Sequence, residues 1–390
     1  MATYYDGSAL NDAPIDWVVR VWDGLLLAGR AGMLLAALIT VLALLVCLRY
    51  RLIALMLGLC GLLMWAGVIY HHWRLHDAGM QFPAPGTMVD VGGFKLHLLA
   101  EGEPNGPTVV WVPGGHGQGL FLYHLHREMA ARTRSIIFDR AGSGWSEQGP
   151  LPRHTLREID ELHHALEKLG EKGPFVFVGH SFGGLFSVNF AQRYTQEVAG
   201  VVLLDPTTPE FLTYFSNLMI KPWLKSARVQ ALKANFGLAW NRQETEQERQ
   251  WYSVLEPVNA ARLSREFLPG GILLDPLAVM DTGKRAMGLA QGDGVLGEIP
   301  LLTILANEDA AIRDAELNDL FADRGLSTIE RVNAMQLMGA EAKRLEALSN
   351  NSTLMYAPEG ASHLFPYEFP EFVLQQLMRF TSEVSYGSSN

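Results

Sequence analysis

Cysteine is nearly missing from this chain: 390 residues contain two, Cys47 and Cys60. Both lie inside apolar runs, so the rest of the chain has neither disulfides nor thiol chemistry and suits an oxidising or a reducing compartment equally. Val46 and Leu59 precede them where a lipoprotein site wants a small residue. Positive charge is also scarce, with 31 Lys and Arg against 41 Asp and Glu and a formal net charge of −10. Without a basic stripe and interleaved aromatics, a nucleic-acid partner is excluded. A basic leader is absent too, since Asp6, Asp12, Asp16 and Asp23 precede the first apolar run. That argues against a cleaved signal peptide.

Charge of either sign is missing from 31–48 and again from 52–69. Each run is about the length that crosses a hydrocarbon core as a helix. Joined by Arg49-Tyr50-Arg51, they predict a hairpin of two transmembrane helices in a lipid bilayer. Basic residues favour the cytoplasmic side. Arg49 and Arg51 therefore favour a cytoplasmic tip and put both termini, with the whole region after the hairpin, outside the cytoplasm, against the opposing pull of Arg20, Arg30 and Arg74. His71, His72 and His76 follow near Trp73, where amphipathic rings anchor a span at headgroup level. No acidic or thiol ligand completes a metal set beside them, so no metal site is expected.

From about Thr87 the pattern changes. Short apolar runs at 87–92, 95–102, 108–114, 135–140, 175–181, 201–206, 300–307 and 352–358 mostly alternate with helical stretches. Such runs with helical crossovers predict a mostly parallel sheet covered on both faces. The stretch between Pro206 and Pro300 breaks the alternation and is rich in aromatics, which reads as an inserted helical lid. The expected domains are an N-terminal segment (1–23), a membrane hairpin with its linker (24–80) and an α/β domain (81–390) with the lid at about 206–299.

Gly179-His180-Ser181-Phe182-Gly183 sits between an apolar run and a helical one. Small residues on both sides let a sharp strand-to-helix turn lift Ser181 above the sheet edge. A serine hydroxyl needs a base, and a carboxylate to hold that base. Downstream of Ser181 there is one histidine, His363, so it is the base if Ser181 is the nucleophile. Two carboxylates close apolar runs. Asp309 is preferred as the acid, with Glu308 a minor competitor and Asp205 the alternative. An oxyanion needs two N–H donors. Phe182 is expected to supply one and Gly115, in the glycine-rich 113–119 loop, the other. Gly114, His116 and His180 are expected to line the substrate pocket.

Pro113 to Gly117, Phe138 to Ser146, Val178 to Gly184, Val201 to Glu210 and Glu359 to Phe372, in this order and spacing, resemble an α/β-hydrolase of the esterase-like branch with a helical cap. The membrane hairpin lies outside the resemblance. Two departures stand out: Pro113-Gly114 replaces the family's usual His-Gly, and Ala306 replaces the glycine of the acid turn. The resemblance implies an α/β-hydrolase fold, with Ser181 as nucleophile, His363 as base and Asp309 as acid. It implies acyl transfer to water without metal or organic cofactor. The expected partner is a small-molecule ester with an apolar acyl or aryl group. A serine acyltransferase, a lactone or carbon–carbon hydrolase, and a non-catalytic ligand-binding pseudo-hydrolase are the alternatives.

Overall fold

The computed structural model describes residues 17–46, 50–115, 117–208, 220–240, 244–256, 258–266, 277–278, 281, 293–308, 327–329 and 341–387. Three helices come first: α1 (Trp17–Leu27), α2 (Ala31–Val46) and α3 (Arg51–Gln81). Small side chains let α2 and α3 approach closely, with Ala36, Ala43, Ala54 and Gly61 buried in the hairpin. Trp65 Nε1 donates to Thr40 Oγ1 at 3.3 Å, and that hydroxyl donates on to the Ala36 carbonyl at 2.8 Å. Large residues such as Leu44, Leu45, Leu52, Leu55 and Leu62 stay exposed on the outside.

Among the described residues, one helix is long and apolar enough to cross a membrane, α3 with 31 residues. It rises about 46 Å. The first apolar run gives a 16-residue helix, about 24 Å against a core of about 30 Å, and residues 47–49 lie outside the description. The expected linker after the second run is itself helical as far as Gln81, because no proline interrupts the run before Pro83.

Eight strands form one sheet in the order β1-β2-β4-β3-β5-β6-β7-β8. They are β1 (Thr87–Asp90), β2 (Lys95–Glu101), β3 (Thr108–Val112), β4 (Ser135–Phe138), β5 (Phe175–His180), β6 (Val198–Leu204), β7 (Leu301–Leu305) and β8 (Ser352–Tyr356). The first two pair antiparallel, as do β2 and β4, and every other pair is parallel. Apolar residues occupy both faces. Val110, Phe138, Phe177 and Leu203 point into one core, and Trp111, Ile137, Val178 and Leu204 into the other. That explains the near-continuous apolar strands, since alternate residues point to opposite faces and both are covered.

The helices α4 (Tyr123–Ala130), α5 (Thr155–Leu169) and α6 (Phe182–Arg193) follow β3, β4 and β5. A favourable N-terminal contact starts α5, where the His154 side chain accepts from the Arg157 N–H, and Gly170 in the left-handed region ends it. The insertion between β6 and β7 contains α7 (Ile220–Asn235), α8 (Glu246–Trp251) and α9 (Asn259–Glu266). A reciprocal capping box between Thr245 and Glu248 opens α8, satisfying two orphan donors of the first turn. The chain closes with α10 (Glu341–Glu346), α11 (Phe365–Glu368) and α12 (Pro370–Gly387).

Helix α7 rests on the N-terminal hairpin. Asp23, fully buried, receives two hydrogen bonds from Arg228, at 2.6 and 2.8 Å. Asn235 accepts from the Gly32 N–H at 3.2 Å and donates to the Leu26 carbonyl at 3.2 Å. Trp240 Nε1 donates to His71 Nδ1 at 3.1 Å, which gives that histidine a hydrogen-bonding partner within the chain.

Candidate active site

At the C-terminal end of β5 the chain turns sharply into α6, and Ser181 takes φ 53° and ψ −124°. Little space is available for this turn. A Cβ at Gly183 would lie 2.2 Å from the Val112 carbonyl oxygen, so only glycine fits there. Among the described residues, the other non-glycine position with positive φ is Asp205, at 43°. Such strained backbone collects at functional sites. The two turns brace each other: the Ser181 N–H donates to the Leu204 carbonyl at 3.1 Å, and the Thr207 N–H donates to the Ser181 carbonyl at 2.8 Å.

Asp205 follows β6, the strand beside β5. His363 Nδ1 lies 2.5 Å from Asp205 Oδ2, while Oδ1 accepts the Ala306 N–H at 3.0 Å. Burial pushes the Asp205 carboxyl up, but the His363 hydrogen bond and charge, the Ala306 N–H and the nearby His180 together hold it below its ordinary value. It is therefore an anion facing an imidazole.

The loop after β8 that carries His363 is tied down on two sides. Asn307 Nδ2 donates to the Ala357 carbonyl at 2.9 Å, and its N–H donates to that of Ala361 at 2.9 Å. Ser362 donates from N and Oγ to Glu368 at 2.9 and 2.7 Å. The imidazole itself remains half exposed. His180 is buried beneath it, with the two ring centroids 4.8 Å apart. Its Nε2 donates to the His363 carbonyl at 2.9 Å. Burial, and then the neighbouring His363, push its pKa down to about 3. His180 is thus a neutral donor at working pH.

The structure therefore brings Ser181, Asp205, His363 and His180 to one end of neighbouring strands. Phe182 is the first residue of α6, where an N–H has no intrahelical acceptor. Gly114 lies against Ser181, since a Cβ on it would stand 3.1 Å from Ser181 Cβ. Asp309 and His116 lie outside the described residues. His180 is buried under the His363 loop. Aromatic residues flank that loop: Tyr367 packs with His124, His180 and Tyr252.

One neighbour of the site is a residue to which the sequence motifs assign no role. Arg140, in the loop after β4, is buried, and its Nη2 donates to the carbonyls of Gly114 at 2.9 Å and of Gly115. An Asp-Arg pair directly after an apolar strand was the available signal. Its neighbour Asp139 organises the same loop by accepting from the N–H groups of Gly119 at 2.7 Å and Trp145 at 2.9 Å, with His97 Nδ1 at 2.8 Å.

The profile of the alpha/beta hydrolase family matches residues 109–376. A thermophilic esterase from Thermogutta terrifontis superimposes with a TM-score of 0.52 at 22% identity, covering 77% of this chain and 97% of that one. The chain is 28% identical to the uncharacterized protein YbdG of Bacillus subtilis over 148 residues, which is 37% of this chain and 46% of that protein. It is 31% identical to an uncharacterized vacuolar membrane protein of Saccharomyces cerevisiae over 114 residues, 27% of this chain and 17% of that protein. The match thus spans less than half the length of either curated relative.

Proposed function

Since the chain belongs to the α/β-hydrolase family, we propose that it is a membrane-anchored serine hydrolase that cleaves carboxylic esters through Ser181, His363 and Asp205. The observation that carries this reading is the pairing of His363 Nδ1 with Asp205 Oδ2 at 2.5 Å beside a serine held at positive φ. An imidazole fixed at Nδ1 presents Nε2 as the base. Asp205, rather than Asp309, takes the orienting role because Nδ1 has one acceptor to meet, and Asp205 meets it.

Ser181 Oγ attacks the ester carbonyl carbon while His363 Nε2 takes the hydroxyl proton. The alkoxide oxygen of the tetrahedral intermediate is met by the Phe182 and Gly115 N–H groups. Collapse expels the alcohol, which leaves with the proton from His363. Water, deprotonated by the same imidazole, then hydrolyses the acyl-enzyme. In this reading α3 anchors the protein in a bilayer, with α2 as the second limb of the hairpin. The basic residues at the tip place the catalytic domain on the non-cytoplasmic side, and a yeast relative named as a membrane protein fits the anchoring. The preferred substrate is a small ester with an apolar acyl or aryl group, suited to the aromatic residues around Tyr367.

Hydrolysis of chromogenic acyl esters of graded chain length by the full chain and by Ser181→Ala tests the reading. A loss of several orders of magnitude in kcat/KM is expected at equal folded concentration, in line with removal of a serine nucleophile. Equal rates for both proteins would refute it.

A further inference from the structure

The loop that is to hold an oxyanion donor, residues 113–117, has three glycines, whose backbone conformation is permissive. Something else must decide which way its peptides face. In this chain that element is the guanidinium of Arg140, whose side chain is 1% exposed. Its Nη2 takes the carbonyl oxygens of both Gly114 and Gly115. Its backbone N–H donates to the Gly117 carbonyl at 2.9 Å. The loop wraps the group closely: Gly117 has φ +68°, and a Cβ there would lie 2.6 Å from Arg140 Nε.

Across a trans peptide the C=O and the following N–H point in opposite directions. With the Gly114 carbonyl on Arg140, the Gly115 N–H faces away from the guanidinium. The guanidinium also packs on the residue of the second expected donor, with Arg140 Cζ 5.0 Å from the centroid of the Phe182 ring. Charge is balanced from behind. Glu158 Oε2 is 3.7 Å from Arg140 Nη1, Glu158 Oε1 is 3.4 Å from Arg153 Nε, and Arg153 forks onto Glu161 at 2.8 and 2.5 Å.

We propose that Arg140 is the positioning residue of the oxyanion hole, presetting the Gly115 and Phe182 N–H groups by gripping the loop carbonyls and the Phe182 ring. It acts through the loop and touches no reacting atom. The proposal rests on the serine-hydrolase reading above. A planar fork is required, because an ammonium is a point charge on a flexible stem and cannot reproduce that geometry.

Two variants test it. Arg140→Lys keeps a cation for Glu158, and the double variant Arg140→Met/Glu158→Gln removes both buried charges so that neither is left alone. Each is measured for folding by thermal melting, for kcat and KM on the best ester, and for inhibition by an alkyl boronic acid, whose serine adduct carries an anionic oxygen. The expected result is a loss of about 10²-fold in kcat, the scale of one missing oxyanion donor, with KM changed by less than about threefold. The boronate inhibition constant should rise in parallel with the loss in kcat/KM. A folded variant that keeps the parent kcat, or that loses kcat with unchanged boronate affinity, overturns the role of Arg140 alone. If the parent and Ser181→Ala are equally inactive, the hydrolase reading fails, and the role of Arg140 falls with it.

Discussion

Around the sheet, Val110, Phe138 and Phe177 pack on one face and Trp111, Val178 and Leu204 on the other, all buried. In the N-terminal hairpin the arrangement is reversed: alanine and glycine touch, while leucines 44, 45, 52, 55 and 62 face outward. The first pattern is stable in water through burial of apolar area. The second is the pattern of helices held together by close backbone approach and a few hydrogen bonds. The β6–β7 insertion belongs to both regions. It packs over the sheet edge near Phe121 and Tyr367, with Arg262 set over the Phe121 and Tyr252 rings. It also holds the hairpin through Asp23, Gly32 and His71. The insertion is thus attached to the N-terminal helices by these polar contacts and by one small apolar cluster of Leu26, Ala31, Leu224, Ala227 and Ala231, whereas the sheet is covered by two larger apolar cores.

This contrast can be broken at either end. The largest effect is expected from Phe177→Ala in the core, which should cost about 3–5 kcal/mol of unfolding free energy through lost burial and a cavity. Leu59→Ala on the outward hairpin face should leave stability in detergent unchanged within about 0.5 kcal/mol. Urea titration of both variants reads the difference. An intermediate effect belongs to Asp23→Asn, which leaves Arg228 without its buried anion and should loosen the insertion by about 3 kcal/mol at most. Hydrogen exchange should then rise across α1 and α7 with the sheet amides unchanged.

A separate effect is expected in pH dependence. Burial pushes His124 down to about 4, and the Pro366 carbonyl it bonds only partly offsets this. His180 is pushed to about 3. An unfolded histidine titrates near 6.5. Below that pH the unfolded chain binds more protons than the folded one, so stability falls as pH drops from about 6.5 towards 3. The urea midpoint should decrease between pH 7 and pH 5, and His124→Gln should reduce that decrease.

The parts of this molecule that can be read from sequence are those whose cause is local. All eight apolar runs are strands, and the strained turn at Ser181 is written in five consecutive residues. His363 follows by elimination. The acid is different, because Asp205 and Glu308-Asp309 both end apolar runs and the choice depends on which of them reaches the loop after β8. That is a matter of sheet order, although Asp205 immediately before Pro206 is a local hint, since aspartate tolerates positive φ better than most residues. Arg140 was missed for a similar reason: its partners Gly114 and Gly115 lie about 25 residues away and become neighbours only when β3 and β4 pair. The docking of α7 on the hairpin joins residues more than 200 positions apart and leaves no periodic trace.

The most direct test of the proposed triad compares Asp205→Asn with Asp309→Asn, measuring kcat for ester hydrolysis at pH 7.5 on proteins shown to be folded. The account predicts a loss of about 10³ to 10⁴ for Asp205→Asn, the scale seen when the carboxylate orienting a catalytic histidine is neutralised, and no more than about a threefold change for Asp309→Asn. The reverse pattern, with Asp309→Asn inactive and Asp205→Asn near the parent rate, would contradict it.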